Sequence, residues 1–457
     1  MTKIFGHYMP SEMLMLWLIE AVLSFALIAA LLTFGAAGLL PADQTLSDSA
    51  FQTIDVAALI ALAFGLAGSA LGLYRLEALL YTRRLLVNIG IVALIVLPAL
   101  AVVAHLSHTD LFALLASREA LWLPRILVGW LLCLALTRSL FRFALRHGLF
   151  ARHILVIGEP DGRGGLQAPR LDVAAFFAVA GRIAPGNPTA LDPEALRARK
   201  IWGIVISAPA RAALPTATLL RCKSAGIRIF DESEFRERQL RRLDLDRLAP
   251  DWLVFAENAF SGRFNRAFKR GFDLVLSAAM LILVLPVMLL TALAIRLDSA
   301  GPVFYRQERV GLHGKPFMLL KFRSMQVDAE AAGPAWAAAH DPRVTRVGGF
   351  LRRSRIDELP QLINVLRGEM SLIGPRPERP HFVAKLAAAI PRYHDRSFVK
   401  PGITGWAQVN FPYGASVEDA RMKLAYDLYY VARRNLFLDL LILISTVRVI
   451  LFREGAR

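Results

Sequence analysis

Two adjacent carboxylates, Asp357 and Glu358, follow a cluster of arginines within residues 352–362, and a further arginine, Arg376, lies between two prolines. Arginines bind phosphates through paired hydrogen bonds. Carboxylates hold a hard cation such as Mg²⁺ or attack a phosphorus or sugar centre. The combination indicates a diphosphate substrate with its metal, whereas an isolated Asp-Glu pair would more simply be the first turn of an exposed helix.

The composition is typical of a membrane protein. Of the 457 residues, 55% are hydrophobic, and the formal net charge is +17. This charge fits attraction to an anionic cytoplasmic membrane face. We do not expect nucleic acid as a partner, because the arginines lie beside apolar runs and the sequence contains no zinc spacing or nucleic-acid-binding motif. The two cysteines, Cys133 and Cys222, are far apart and imply no disulfide framework, which suits a reducing compartment.

Four apolar stretches of about 20 residues are long enough to span a bilayer. They cover residues 13–32, 56–74, 86–106 and 121–141. The linker after the second contains Arg83 and Arg84, and basic residues also follow the fourth, whereas the first linker has neither lysine nor arginine. By the positive-inside rule, both ends of this predicted four-helix segment (residues 1–148) face the cytoplasm. Glu20 is expected to face the interior of the bundle or a partner.

A fifth apolar run, residues 274–295, is also long enough to span, but its flanks argue against spanning. Basic residues precede and follow it, which indicates that both of its ends stay cytoplasmic. Pro286 lies in the middle, where it removes a backbone donor and bends a helix. We therefore predict a re-entrant membrane hairpin over residues 271–297 that breaks at Pro286 and returns to the same face.

Between these membrane segments the sequence alternates short β-rich runs with helical segments, as in a small doubly wound α/β domain. Residues 153–158, 201–207 and 227–230 are predicted as strands. The glycine-rich loop after the first strand departs from the dinucleotide fingerprint, because Pro160 stands where the second glycine should lie. We predict a degenerate Rossmann-like domain over residues 149–260 with a structural or regulatory role.

One alternative is a membrane-anchored nucleotide-sugar dehydratase or epimerase, which also joins four helices to such a domain. It requires an intact glycine fingerprint and a Tyr-x-x-x-Lys pair, but no tyrosine of this chain is followed four residues later by lysine. That weakens this alternative without eliminating it. A second alternative is a non-enzymatic membrane scaffold, which has no need of the Asp-Glu pair and its arginines.

The C-terminal part, residues 261–457, carries several motifs in a fixed order. They read KRGFD at 269–273, GPVFYRQERVG at 301–311, FMLLKFRSM at 317–325, KPGITGWAQVN at 400–410 and YDLYY at 426–430. With the Asp-Glu segment between them, they resemble the polyprenyl-phosphate glycosyl-1-phosphate transferases of bacterial exopolysaccharide and glycan assembly, the monotopic phosphoglycosyl transferases. The four-helix and α/β parts resemble those of the large members of that family.

The resemblance implies transfer of a sugar-1-phosphate from a UDP-sugar to undecaprenyl phosphate, with release of UMP, at the cytoplasmic face of the bacterial inner membrane. This would be the first step of exopolysaccharide or related glycan assembly. It also implies that Asp357 is the nucleophile of a covalent phospho-sugar intermediate and that Asp357 and Glu358 hold Mg²⁺. The candidate phosphate-binding residues are Arg352, Arg376, Lys321 and Arg323. Gln361 and Glu378 are expected either to contact the nucleotide or to hold the loop.

The remaining expectations concern the catalytic part and its surroundings. Residues 261–457 are predicted to form an α-rich domain that sits on the re-entrant hairpin. The apolar run at 436–452 is predicted as an interfacial amphipathic helix, with a plain core helix as the alternative. Glucose, galactose and an N-acetylated hexosamine are all compatible with the motifs. A homodimer is expected only by analogy with how such bundles associate.

Overall fold

The computed structural model describes residues 2–4, 7–9, 11–36, 46–74, 85, 88–93, 96, 122–158, 176–184, 191–246, 248, 251–254, 256, 262–327, 329, 341–411 and 416–451. The chain mixes helices and strands and divides into two compact units. The first comprises Met1–Ile4 and Tyr8–Gln239, and the second comprises Phe5–His7 and Leu240–Arg457. The predicted domain boundaries near residues 148 and 260 stay predictions.

Three long helices open the first unit. They are α1 (Ser11–Ala36), α2 (Leu46–Ala70) and α3 (Trp122–Arg146), and two short strands precede them, β1 (Thr2–Ile4) and β2 (His7–Met9). These helices cover the first, second and fourth predicted apolar stretches, while most of the third stretch lies outside the described residues. In the described part, α1 and α3 are long and apolar enough to cross a membrane, and the apolar part of α2, Ala57–Ser69, is shorter.

A buried ion pair joins α1 to α3. Arg138 donates from Nη2 to Oε2 of Glu20 at 3.1 Å, and Thr137 donates to Oε1 of Glu20 at 3.0 Å. Arg138 also donates to the carbonyl of Leu73 at 2.8 Å. Glu20 and Arg138 are each only 2% exposed. Glu20 therefore faces the bundle interior, and its partner comes 118 residues later in the chain, where no local pattern connects the two.

A four-stranded parallel sheet follows in the same unit, with strand order β4-β3-β5-β6. Its strands are β3 (Arg152–Ile157), β4 (Phe177–Ile183), β5 (Ile201–Ile206) and β6 (Arg228–Asp231). The helices around it are α4 (Pro193–Ala198), α5 (Ala208–Ala213), α6 (Thr216–Ser224) and α7 (Glu232–Leu240). The three predicted strands are found as β3, β5 and β6. Apart from Gly158, the glycine-rich loop lies outside the described residues.

The second unit begins with α8 (Arg263–Asp298), a helix of 36 residues that includes Pro286. The helical backbone continues through Pro286, which differs from the predicted break; a proline removes one helical hydrogen bond and can be accommodated by a bend. The buried side chains of α8 recur every three or four residues near its two ends, as Asp273 and Ser277 and as Met288, Thr291 and Ile295. They form a stripe toward the core of the unit.

The rest of the second unit is built from short elements. They are β7 (Phe304–Val310), β8 (Pro316–Phe322), α9 (Arg346–Ser354), α10 (Gln361–Arg367), β9 (Ser371–Ile373), α11 (Pro380–Ala389), β10 (Gly402–Thr404), α12 (Trp406–Asn410), α13 (Val417–Arg433) and α14 (Leu436–Leu451). Strand β7 pairs antiparallel with β8, and β9 pairs parallel with β10. Helix α14 buries Leu438 and Ile442 in the main core and exposes Leu440, Val447 and Ile450.

Candidate active site

A sharp turn between α9 and α10 presents the two carboxylates. Helix α9 ends at Ser354, the next residue, Arg355, has a left-handed backbone (φ 61°, ψ 13°), and Ile356–Glu358 then form a single 3₁₀ turn. A left-handed conformation is strained for a residue with a side chain, and such strain is concentrated at functional sites. Pro360 comes directly before α10, where its missing N–H costs no helical hydrogen bond. This turn carries Asp357 and Glu358, which both line one cavity.

Asn364 fixes α10 against strand β8. It is fully buried; its Oδ1 accepts from the backbone N–H of Leu320 at 3.0 Å, and its Nδ2 donates to the carbonyl of Met318 at 2.8 Å. These two backbone groups flank Leu319, two strand positions before Lys321, so the contact fixes α10 beside the part of β8 that carries Lys321. The sequence alone did not indicate this role, since an asparagine inside a helix has no distinctive spacing.

Glu358 is held by three cations. Arg376 donates to Oε1 at 2.7 Å and to Oε2 at 3.3 Å, and Lys321 donates to Oε1 at 3.2 Å. Arg355 lies 3.7 Å from the same oxygen. Burial alone would raise the pKa of Glu358, but the charges of Arg376 and Lys321 outweigh it and hold that pKa well below its usual value. Glu358 is therefore a fixed anion that orders the surrounding cations.

Asp357 is buried beside Glu358 but is held by fewer contacts. It is 7% exposed, and its Oδ1 is buried with no hydrogen-bond partner among the residues that the structure describes. Its Oδ2 lies 4.0 Å from Nζ of Lys321. Burial raises the pKa of Asp357, and Lys321 opposes that rise. A buried carboxylate oxygen without a partner is costly. It is the atom that one expects to react or to bind a ligand.

All six predicted site residues line one cavity of ≈ 590 Å³. Arg352 lines it, whereas its exposed neighbour Arg353 donates to the carbonyl of Gly349. Arg323 also lines the cavity, but its two Nη atoms donate to the carbonyls of Ser299 and Ala300, both at 2.7 Å. These contacts hold the end of α8, so we interpret Arg323 as an anchor of that helix.

The structure places Gln361 and Glu378, whose roles the sequence left open, in different environments. Gln361 is 2% exposed and belongs to the core of α10, whereas Glu378 lines the cavity. The cavity also contains charged residues that the sequence did not single out as site residues. They include Arg309, Arg379, Arg396, Lys423 and Asp427. Of these, Arg309 lies in the GPVFYRQERVG motif and Asp427 in the YDLYY motif, and the motifs were the available signal.

The residues that could hold a metal are few. Within the described ranges, no group of three or more His, Cys, Asp or Glu side chains is arranged to bind a metal ion. Mg²⁺ commonly uses one or two carboxylates together with substrate phosphates. The unpartnered Oδ1 of Asp357 fits such a site, whereas Glu358 is already engaged by cations.

Known proteins similar to this chain match mainly its second unit. A family model described as bacterial sugar transferase matches residues 264–453. The chain is 43% identical over 239 residues to a UDP-N-acetylgalactosamine-undecaprenyl-phosphate N-acetylgalactosaminephosphotransferase of Aeromonas hydrophila, covering 52% of this chain and 56% of that protein. It is 45% identical over 190 residues to a UDP-glucose:undecaprenyl-phosphate glucose-1-phosphate transferase of Caulobacter vibrioides, covering 41% of this chain and 71% of that protein.

A third relative, an exopolysaccharide production protein (PSS) of Rhizobium leguminosarum bv. phaseoli, is 42% identical over 188 residues, which cover 39% of this chain and 92% of that protein. The match to the longer relatives is partial. The matched region spans about half of the Aeromonas protein (56%) and 40% of a UDP-glucose:undecaprenyl-phosphate glucose-1-phosphate transferase of Escherichia coli. The family match, residues 264–453, includes Asp357 and Glu358.

Proposed function

This chain belongs to the bacterial sugar transferase family, and from that premise we propose that it transfers a sugar-1-phosphate from a UDP-sugar to undecaprenyl phosphate and releases UMP. This would be the first step of exopolysaccharide or related glycan assembly. The observation that carries the proposal is the buried, unpartnered Oδ1 of Asp357 in a cavity lined by cations. The names of the Aeromonas and Caulobacter relatives, which specify UDP-sugar donors and undecaprenyl phosphate, support the choice of substrates.

The proposed reaction has two steps. In the first, a carboxylate oxygen of Asp357 attacks the phosphorus that bears the sugar. The bond from that phosphorus to the bridging oxygen breaks, and UMP leaves with the bonding electrons. In the second, a phosphate oxygen of undecaprenyl phosphate attacks the same phosphorus, and the carboxylate of Asp357 leaves unchanged. No net proton is required in either step, so the site needs charge stabilisation more than acid-base catalysis.

The cations around the carboxylates supply that stabilisation. Arg376 and Lys321 both contact Glu358, which fixes them on one side of Asp357. A diphosphate in the cavity would accept hydrogen bonds from them and from Arg352, which lines the same space. Burial makes the carboxylate of Asp357 a less solvated nucleophile, and the nearby ammonium of Lys321 opposes the rise in its pKa. The pair is thus divided into a reacting Asp357 and an organising Glu358.

Mg²⁺ fits this proposal through Asp357. When bound, the ion would neutralise part of the diphosphate charge and so favour departure of UMP. Since Glu358 is engaged by Arg376, Lys321 and Arg355, we propose Asp357 and the substrate phosphates as the ligands. Glu358 would then act on the metal site only by ordering the cations around it.

The proposed setting is the bacterial inner membrane, with the catalytic unit on the cytoplasmic face. Both ends of α8 contact its own unit: Arg270 donates to the carbonyls of Val365 and Leu366, and Arg323 donates to Ser299 and Ala300. The outer face of α8 is apolar, with Ile282, Leu283, Leu289 and Leu290 at 64–78% exposure. These contacts support a re-entrant course, because a helix that crossed the bilayer would carry one end away from the unit.

The first unit is proposed to anchor the enzyme. Helices α1, α2 and α3, together with residues 86–106, would form the four-helix transmembrane segment. The parallel order β4-β3-β5-β6 supports a degenerate Rossmann-like domain. The exposed apolar side chains of α14 support its placement at the membrane interface. Association as a homodimer stays part of the proposal.

Release of UMP tests the proposed function directly. Detergent-solubilised full-length protein is incubated with undecaprenyl phosphate, Mg²⁺ and, in turn, UDP-glucose, UDP-galactose and UDP-N-acetylated hexosamines. We expect lipid- and Mg²⁺-dependent UMP from one donor and none from Asp357→Asn, which keeps the size of the side chain but loses the nucleophilic charge. Substantial turnover by Asp357→Asn would reject the nucleophile. Failure of the folded wild type with every donor would favour a scaffold.

A further inference from the structure

The backbone of the segment that carries Arg376 is held through its carbonyl groups. Residues 375–378 contain two prolines, which have no N–H to donate. Each carbonyl in the segment accepts one hydrogen bond. The donors are the backbone N–H of Gly402 to Pro375 (2.9 Å), Nη2 of Arg396 to Arg376 (2.9 Å), Nη1 of Arg309 to Pro377 (3.1 Å) and the backbone N–H of Val310 to Glu378 (3.0 Å). Two of the four donors are therefore guanidinium groups.

The guanidinium of Arg396 is in turn fixed by Asp427 of α13. Nη2 of Arg396 lies 2.7 Å from Oδ2 of Asp427, and Nη1 donates to the hydroxyl of Tyr393 at 2.9 Å. The side chain of Asp427 is 3% exposed and that of Arg396 is 12% exposed. A pair buried to this degree is costly to form and more costly to break, because removal of one partner leaves the other charge uncompensated. Its retention beside the cavity calls for a role.

We propose that Asp427 and Arg396 are a positioning pair that holds the backbone of Arg376, so that the Arg376 side chain reaches Glu358 and the diphosphate in one fixed orientation. The connection is continuous, from Asp427 to Arg396, to the carbonyl of Arg376, and through its side chain to Glu358. The inference rests on the proposed function and adds two residues to its machinery. Asp427 and Arg396 act through Arg376 and need not touch the reacting atoms.

The charge on Asp427 provides a way to test the connection. Burial raises the pKa of Asp427 to about 6, and Arg396 opposes that rise. The other titratable groups that face it are Glu378 of the loop, Lys423 of its own helix and Tyr393. Above pH 6 the carboxylate is charged and binds Arg396 through a charge-assisted hydrogen bond; below pH 6 it becomes neutral and holds Arg396 less firmly. Neutral Asp427 then resembles asparagine.

The experiment compares wild type with Asp427→Asn from pH 5 to pH 8. For each, kcat/KM is measured as UMP release from the UDP-sugar with the highest wild-type rate. We expect the ratio of wild-type to variant kcat/KM to be near 1 at pH 5 and to rise through a midpoint near pH 6 to about 10- to 100-fold, the size of effect that misplacement of a catalytic group produces.

Two further variants separate positioning from folding. Asp427→Glu keeps the charge and should retain the dependence on pH with partial activity. Asp419→Ala removes the capping box of α13, so it weakens the same helix without touching Arg396 and should leave the ratio flat. A ratio that is near 1 throughout, or that is large but constant with pH, would overturn the positioning pair. Absence of UMP from the wild type itself would instead reject the proposed function.

Discussion

The pKa values of the neighbouring carboxyl groups Asp357 and Glu358 are shifted in opposite directions, although the two side chains differ by one methylene. Burial raises the pKa of Asp357, whereas the cations that contact Glu358 hold its pKa well below the usual value. The difference comes from geometry, because Arg376 and Lys321 approach Glu358 within 3.3 Å and only Lys321 approaches Asp357, at 4.0 Å. Separate environments assign separate roles to chemically similar groups.

This division predicts a pH dependence that Lys321 controls. Asp357 must be ionised to attack, so activity falls as the pH drops through its raised pKa. Lys321 lowers the pKa of Asp357, so Lys321→Met should move the acid limb of kcat/KM for the UDP-sugar to higher pH. It should also reduce the rate at the optimum by about 10- to 100-fold, since a phosphate contact is lost. The measurement is a pH profile of UMP release.

Lys315→Met supplies the matched control for this profile. Lys315 is an exposed lysine that directly precedes β8, the strand that carries Lys321, and its removal should leave the acid limb in place. An unshifted limb in Lys321→Met would mean that the group titrating in the profile is another residue and would contradict the assignment of Asp357.

The sequence brought forward the proposed reacting residues more readily than the residues that support them. Asp357, Glu358, Arg352, Arg376 and Lys321 carry their chemistry in their side chains, so motif and residue type were enough to bring them forward. Arg396 and Asp427 become meaningful only when the fold brings them together. Arg323 was predicted as a phosphate ligand because a guanidinium is chemically suitable, but its contacts with Ser299 and Ala300 depend on where α8 ends.

At the scale of elements, the parallel pair of strands β9 and β10 leads directly into the segment that carries Arg376. Gly374 and Gly402 pack backbone against backbone beside this strand pair, and the N–H of Gly402 donates to the carbonyl of Pro375. A Cβ on Gly402 would clash with the backbone nitrogen of Gly374, which has no flexible side chain that could yield. Glycine is therefore required here for close approach, and its place between Pro401 and Ile403 also explains part of the KPGITGWAQVN motif.

Gly402→Ala should accordingly displace the segment that carries Arg376. We expect a loss of stability of about 1–3 kcal/mol, the usual cost of overpacking, with a lower melting temperature in detergent and reduced UMP release. Gly271→Ala is a suitable control, because no heavy atom of the described residues beyond its own helix lies within 4 Å of a Cβ there. Equal melting temperatures for the two variants would show that the strand pair tolerates a side chain at residue 402.

The elements could be predicted where burial leaves a pattern. Strands β3 and β5 are continuous apolar runs typical of a parallel sheet, and both were predicted. Strand β4, one of the two edge strands, was not predicted, because Phe177 is its one buried residue and it contains Gly181 and Arg182 within a weakly apolar run. For α8, the composition predicted an interruption at Pro286, but the helix continues through the proline.

At the scale of the whole molecule, the second unit presents apolar surface from two helices. Helix α8 exposes leucines along its middle, and α14 exposes Leu440, Val447 and Ile450. The basic residues lie at the ends of α8, where Arg270 and Arg296 flank the apolar run. Such a distribution suits insertion of the middle of α8 into one leaflet while its ends stay at headgroup level. In the proposed re-entrant arrangement, entry from one side would keep the cavity near the lipid phosphate.

Thiol labelling tests this arrangement in the intact membrane. Leu297, at 80% exposure near the C-terminal end of α8, is replaced by cysteine in a protein without its two native cysteines. A re-entrant α8 keeps Leu297→Cys on the cytoplasmic side, so a membrane-impermeant maleimide added to spheroplasts should not label it until the cells are permeabilised. A cysteine at Asp43, in the linker predicted to be periplasmic, should be labelled without permeabilisation. Labelling of Leu297→Cys in intact spheroplasts would mean that α8 crosses the bilayer. The re-entrant α8 could then no longer explain how the cavity reaches the phosphate of the lipid substrate.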